Sequence, residues 1–418
     1  MYLDEVQDFS YAAIYLICSI GGKSSLHWVC AGDTAQMVSP GCAFKFTGLK
    51  QTLLSVQSGI EGRLGKVSHL LVNYRTSQAI LEVANAILDS AKKHFPGAIE
   101  YAQPERAVKN TGIEVALCDW NAALSMKVSF GHEQALIYSS GGDTYGIALT
   151  AKDWLGDHPF ILSSVESKGL EFDDVVVAFD NNRKVWDVES ERVASLRMLR
   201  ELYVAITRAK RRAVILVNRN CDTMVKFFTE LGCDLEFTPV EFTLVEFDSE
   251  TSISEWLKKG HALFADESYS YAAKCFNKAR DDGYSFWASA RHQQKLGRRI
   301  QAVPFLWNAV DSFYNRKAFT YALNAIEEIL NLSVDVSWIS RHDLIDGALQ
   351  KLPDYLPRVV IVRLAIARNK WEDVKVDDMK NIEASNILIK HRGNPALKAI
   401  VKRSRDTERT VISNILPK

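Results

Sequence analysis

At 418 residues the chain is long enough for two or three domains rather than one. Hydrophobic residues make up 47% and charged residues 24%, a globular composition that excludes the disordered and fibrous classes. Lys plus Arg and Asp plus Glu balance at 51 each, which excludes a globally basic nucleic-acid binder but not a local basic groove.

The chain opens on Tyr2-Leu3, a short apolar run that ends in Asp4-Glu5-Val6-Gln7-Asp8. Up to about residue 220, short apolar runs alternate with helical stretches. Strands are expected at Leu26–Ala31, His69–Val72, Ile113–Cys118, Ala135–Ser139, Phe160–Ser163, Val175–Phe179 and Ala213–Val217. Helices are expected between them, as at Ser77–Lys93 and Ala194–Arg208. Most of the apolar runs are continuous, as in strands covered on both faces, so the alternation points to parallel α/β sheets. Residues 219–254 read as a linker with an extended connection or edge strand. From residue 255 the pattern becomes helical, with small and aromatic residues at helical spacing. Examples are Gly260, Leu263, Phe264, Ala272 and Phe276, then Ala309, Phe313, Tyr321 and Ala325. Such pairs let helices pack closely in antiparallel hairpins, as in tetratricopeptide-type repeats, and the expectation is an α-solenoid over 255–418.

Seven scattered cysteines without a CxxC pair read as reduced, buried thiols of an intracellular protein. No charged-then-apolar leader pattern and no apolar run of membrane-spanning length is evident, so no membrane partner is expected.

Five polar clusters stand at or near the expected strand ends, with an aromatic loop downstream of the second. In Asp4-Glu5 the first carboxylate suits Mg²⁺ and the second an attacking water, although acidic pairs are also common on solvated surfaces. Gly32-Asp33-Thr34-Ala35-Gln36 follows a strand. It is either a polar turn or a place where Gln36 senses a terminal phosphate. Phe44-Lys45-Phe46 sets two aromatics and a cation on one loop, which suits single-stranded nucleic acid or equally a buried loop. Asn73-Tyr74-Arg75-Thr76 places a guanidinium near a helix start, for a phosphate or a surface salt bridge. Ser167-Lys168-Gly169-Leu170-Glu171 is a polar turn, or a contact for phosphate and ribose with Gly169 permitting a tight bend. Arg208 ends a helix running into a strand, either satisfying carbonyls or stabilising charge on a transferring phosphoryl group.

Taken in order, DEVQD, GDTAQ, NYRT, SKGLEFDDV and YVAITRAK resemble the later motifs of superfamily 1 helicases of the UvrD/Rep type. With a helical-repeat tail behind them, the chain resembles the C-terminal part of the TPR and ankyrin repeat-containing protein family and related fungal UvrD-like proteins. The motif resemblance covers roughly residues 1–218 and is looser in the tail. It implies two RecA-like P-loop NTPase domains that clamp ATP, with single-stranded DNA or RNA crossing both. Residues 1–66 would be the remnant of the first and 67–218 the complete second, followed by a TPR-like α-solenoid that binds protein partners. The resemblance assigns Asp4 to Mg²⁺, Glu5 to water activation and Gln36 to the γ-phosphate. It assigns Arg75 and Arg208 to the γ-phosphate from the second domain, Glu171 to ribose and Tyr74 to stacking on adenine. Lys168 and Gly169 fall in the coupling loop, and Phe44, Lys45 and Phe46 in the nucleic-acid loop.

The departures are equally specific. No GxxxxGK(S/T) phosphate loop occurs, and Gly21-Gly22-Lys23-Ser24 lacks the first glycine at the needed distance. Val165 stands where bacterial members commonly have His, and Phe46-Thr47-Gly48 lacks a cation of the nucleic-acid loop. Fewer than about a hundred residues separate NYRT from SKGLEF, too few for a large accessory domain. The expectation is therefore a piece of a longer helicase or translocase, inactive alone for want of the phosphate loop. The alternative is a non-catalytic scaffold acting through its α-solenoid.

Overall fold

The computed structural model describes residues 2–20, 28–39, 44–56, 65–100, 103–108, 115–139, 144–178, 192–231, 235, 237–244, 247 and 250–332, with Pro395 and Ala399. The chain divides into two compact units, Met1–Thr251 and Ser252–Lys418.

The first unit begins with β1 (Tyr2–Leu3), α1 (Tyr11–Ile20), β2 (Val29–Cys30) and α2 (Phe46–Val56). β1 and β2 pair in parallel, Tyr2 opposite Val29 and Leu3 opposite Cys30. Beside them Val6, Ile14, Cys18, Phe44, Leu49 and Leu53 close a small apolar core. β3 (Val72–Asn73), α3 (Gln78–His94) and β4 (Arg106–Ala107) follow, with β3 and β4 parallel.

The main sheet contains β5 (Val115–Asp119), β6 (Gln134–Tyr138), β7 (Ile161–Ser163), β8 (Phe172–Ala178) and β9 (Ala209–Val217). Their order is β5-β9-β8-β6-β7 and every pairing is parallel. α4 (Trp120–Ser125), α5 (Thr144–Leu155) and α6 (Arg192–Ile206) connect them. Alternate residues of a strand face opposite sides, and both sides of this sheet are covered. Leu136, Val176, Val214 and Leu216 join a core with Phe130 and Phe247. Ala135, Ile137, Val175, Val177, Ala213 and Ile215, one residue out of step, are also buried.

β8 and β9 start earlier than the apolar runs predict, at Phe172 and Ala209 rather than Val175 and Ala213. The extra residues carry charge. Buried Asp174 lies inside β8 because Gln134 Nε2 (3.1 Å) and Arg211 Nη2 (3.3 Å) donate to its carboxylate. Residues expected to form a linker instead extend the first unit. α7 (Asp222–Glu230) and α8 (Val240–Thr243) form there, Thr238 N donates to Leu117 O at 2.8 Å, and Val240, Leu244 and Phe247 are buried.

The second unit contains α9 (Ile253–Ala265), α10 (Tyr269–Lys278), α11 (Asp282–Lys295), α12 (Arg299–Asn315) and α13 (Phe319–Asn331). Ser252 and Glu255 form a capping box at the start of α9. The four turns between these helices share one geometry, with Glu267, Arg280, Gly297 and Lys317 in the left-handed region. In each, the next residue's N–H reaches back to close a Schellman motif. Examples are Ser268 N to Leu263 O and Ala318 N to Phe313 O, both 2.8 Å. The helices approach closely at Gly260, where a Cβ would lie 2.8 Å from the Phe276 ring. Residues 333–418, expected to continue the helical pattern, lie outside the described residues apart from Pro395 and Ala399. Among the described residues no helix is long and apolar enough to cross a membrane, and Cys18, Cys118 and Cys275 are buried free thiols.

Candidate functional site

Two segments leave the carboxyl ends of β1 and β2. The first, Asp4 to Asp8, turns sharply through Glu5, which adopts left-handed backbone angles (φ 51°, ψ 39°). A side chain there costs on the order of 1 kcal/mol, so the turn must be held from outside. Asp4 Oδ1 accepts from Glu5 N at 2.9 Å, and Gln7 Nε2 donates to Glu5 Oε2. Gln7 is fully buried, and its Oε1 accepts from Asp33 N at 3.0 Å. Gly32 makes this possible: a Cβ at that position would stand 2.5 Å from Gln7 Oε1 and 2.7 Å from Val6 Cγ2. Asp4 and Glu5 remain exposed.

In the second segment Asp33 caps a short 3₁₀ turn, Thr34–Gln36, by accepting from Ala35 N at 2.8 Å. Desolvation pushes the Asp33 carboxyl above the ordinary range, opposed by hydrogen bonds from Ala35, Gln36 and Tyr203 and by the charge of Lys168. Burial, then Asp33, raises the Tyr203 hydroxyl well above its usual value.

Facing these are segments at the amino ends of β8 and β9, the opposite polarity to the usual ligand position at strand carboxyl ends. Arg208 is 5% exposed. Its Nη2 donates to Gln36 Oε1 and its Nε to Val204 O, each at 3.2 Å. Burial lowers the tendency of this guanidinium to hold its proton, and nearby Arg75 adds to that, while Glu171 and Glu5 oppose it. Arg75 is exposed and pairs with Glu171 at 2.6 Å, with Lys210 Nζ 3.9 Å from the same carboxylate. Asn73 Oδ1 accepts from both Arg75 N and Thr76 N at 2.9 Å, which fixes the turn ahead of α3. Gly169 is left-handed (φ 77°) with no atom within 4 Å of a Cβ position, so glycine is needed there for backbone freedom rather than room.

The structure therefore pairs Gln36 with Arg208 and Arg75 with Glu171, with the charges of Glu5, Arg75 and Glu171 acting on Arg208 and that of Lys168 on Asp33. Lys168 Nζ meets both carboxylate oxygens of Asp8, at 2.6 and 2.8 Å, so its ammonium is engaged by protein. Tyr74 is 79% exposed, with its ring open to solvent. Among the described residues no group of three or more His, Cys, Asp or Glu converges to hold a metal.

The expected nucleic-acid loop is placed differently. Phe44 is 2% exposed, stacked on Tyr11 at 6.1 Å and edge-on to Phe46 at 5.2 Å. Its ring faces are taken by the apolar core, which corrects its assignment as a base-stacking residue. Lys45 is exposed and Phe46 half-buried. Gln7, Asp8, Asp33 and Tyr203 were not singled out by sequence reasoning. Each lies inside a motif, three or fewer residues from Glu5 or Gln36 or five from Arg208. Their signal was proximity to a candidate, which does not reveal a partner far along the chain.

No family model matches the chain. In an alignment that covers 66% of its length it is 23% identical to TPR and ankyrin repeat-containing protein 1 of Homo sapiens. In an alignment that covers 33% of its length it is 31% identical to F-box DNA helicase protein 1 of Schizosaccharomyces pombe. The matches span 12% and 15% of those two proteins. The chain is thus similar in part to a protein named as a DNA helicase and in part to a repeat-containing protein.

Proposed function

We propose that the first unit carries one portion of the nucleotide site of an ATP-dependent DNA or RNA helicase or translocase of the UvrD type. In this reading β1, β2 and their turns belong to one RecA-like lobe and the five-stranded sheet to a second. The helical unit is a TPR-like solenoid that receives protein partners. The observation that carries the reading is the contact of Arg208 with Gln36 beside the exposed Asp4-Glu5 turn. It sets a buried guanidinium within electrostatic reach of the Glu5 carboxylate, an arrangement suited to a transferring phosphoryl group.

The residues fit ATP and Mg²⁺ incompletely. Asp4 keeps one carboxylate oxygen beyond the one that accepts from Glu5 N, suiting a Mg²⁺ ion otherwise held by phosphates and water. Bound Mg²⁺ neutralises charge on the phosphates. Glu5, pinned by Gln7, accepts the proton of the attacking water. Gln36 and Arg208, hydrogen-bonded to each other, would meet the terminal phosphate together, and Arg75 would join them once Glu171 is released to the ribose. Tyr74 offers its open ring to adenine, while exposed Lys45 is left to contact a single-stranded backbone. No residue of the sequence supplies the phosphate cradle, since GxxxxGK(S/T) is absent.

The test is Mg²⁺-dependent hydrolysis with and without single-stranded DNA or RNA. The 418-residue chain is expected to show only background turnover. Within a longer polypeptide that supplies a phosphate loop, turnover is expected and should fall at least ~100-fold in Glu5→Gln and in Arg208→Ala. Unchanged rates in both variants would overturn the reading. A non-catalytic scaffold is the second reading, favoured by the close helix packing at Gly260. It predicts that partner capture follows residues 252–418 and is indifferent to both substitutions.

A further inference from the structure

Lys168 was expected to contact a phosphate or to lie in a polar turn, and its ammonium donates to both oxygens of Asp8, 160 residues away. Ser39 Oγ also donates to Asp8 Oδ1, at 3.1 Å. The pair is substantially withdrawn from water, with the two side chains 15% and 30% exposed. Water screens such a charge-assisted contact less than an open surface pair.

The position of each partner gives the pair its consequence. Asp8 ends the turn that begins with Glu5, and its N–H donates to Glu5 O at 2.9 Å. Lys168 precedes left-handed Gly169, and the same loop reaches Arg75 through Glu171 three residues on. The loop is therefore tied at one end to the Glu5 turn and at the other to the start of α3. Its own backbone bonds are short-range: Ser167 N to Ser163 O at 3.0 Å, Lys168 N to Val165 O at 3.3 Å and Leu170 N to Ser167 O at 3.1 Å. Turns of this kind open locally at small cost unless a side chain anchors them.

We propose that Asp8 and Lys168 form a latch that positions the Glu5 turn against the Lys168–Glu171 loop. Both are positioning residues; Lys168 acts on the site through Asp8 rather than by touching a phosphate. The use of Glu5 rests on the helicase reading, whereas the latch rests on the ion pair alone.

Amide hydrogen exchange on the full 418-residue chain, without nucleotide, tests it in Asp8→Asn, Lys168→Met, Lys168→Arg and the swapped pair Asp8→Lys with Lys168→Asp. Each charge removal is expected to speed exchange about tenfold on both sides, at Asp8 and Phe9 and at Ser167, Lys168 and Leu170. Lys168→Arg should hold both sides near the parent rate, and the swap should restore protection. Amides of β8 and β9 report that the variants remain folded. Where Lys168→Met also melts those strands, raising NaCl from roughly 0.05 to 1 M on the parent chain replaces it, with both segments loosening together. Loosening confined to the substituted side overturns the latch, as does a folded swap that stays as open as the single variants. Such a failure leaves the hydrolysis reading standing. Absent hydrolysis in the longer polypeptide, with reciprocal loosening intact here, removes that reading alone.

Discussion

Arg208 Nη2 donates to Gln36 Oε1 across 3.2 Å, joining residues 172 positions apart at the meeting of two polar turns. Each residue has a further anchor, Arg208 through its side chain to Val204 O and Gln36 through its main-chain N–H to Asp33 O at 3.1 Å. Geometry of this kind is pre-set before any ligand arrives.

A double-mutant cycle on Gln36→Ala and Arg208→Ala should therefore show coupling of about 1 to 2 kcal/mol in urea unfolding of the chain. Additive effects within about 0.3 kcal/mol would mean the contact contributes nothing in solution.

Phe44 and Lys45 are neighbours with opposite surroundings, one buried against Tyr11 and one exposed. Phe44→Ala should cost about 3 to 5 kcal/mol through the cavity it leaves. Lys45→Glu should leave unfolding within about 0.5 kcal/mol of the parent and weaken binding of single-stranded DNA or RNA, most at low salt. Equal affinities for parent and Lys45→Glu across a salt series would remove that loop from the nucleic-acid path.

Arg280 and Lys317 hold left-handed angles that Gly297 holds without strain in an equivalent turn. Arg280→Gly and Lys317→Gly should each stabilise the helical unit by up to about 1 kcal/mol, with Gly297→Ala destabilising it similarly. Thermal unfolding of the three variants checks the order. A lower melting temperature in both glycine variants would show that lost side-chain contacts outweigh the relief.

The Asp33 carboxyl is raised by desolvation, so the folded state holds its proton more tightly than the unfolded state. Its contribution is most favourable below the unfolded value and is lost as pH rises through the folded one. Asp33→Asn keeps an oxygen for Ala35 N and removes the charge. Relative to the variant, the parent should lose stability between about pH 4 and the raised folded value, then stay level. Melting temperatures of both chains from acid to neutral pH provide the measurement, and a constant difference across the range would refute the assignment.

Much of the first unit was legible because its signals are local. Val175-Val176-Val177 and Ala213 to Val217 are runs that only a doubly covered strand uses well, and both lie in the main sheet. The charged starts of β8 and β9 were not legible, since Asp174 enters a strand only when Gln134 and Arg211 arrive to satisfy it. The stretch read as a linker failed for a related reason. Val240, Leu244 and Phe247 lie in a mixed run, Val-Glu-Phe-Thr-Leu-Val-Glu-Phe, with no clear strand or helix period, and their burial depends on the sheet face already being there.

The sequence by itself determined the alternation of strands and helices in the first unit, the small-with-aromatic helical pattern of the second, and the order of five polar motifs. These follow from periodicity and turn chemistry within a few residues. The tertiary structure alone decided which polar side chains meet: Lys168 with Asp8, Arg75 with Glu171, and Arg208 with Gln36. It also turned Phe44 inward. Such pairings depend on where packing of the sheet and its helices brings distant turns, and no local pattern of side chains encodes that distance.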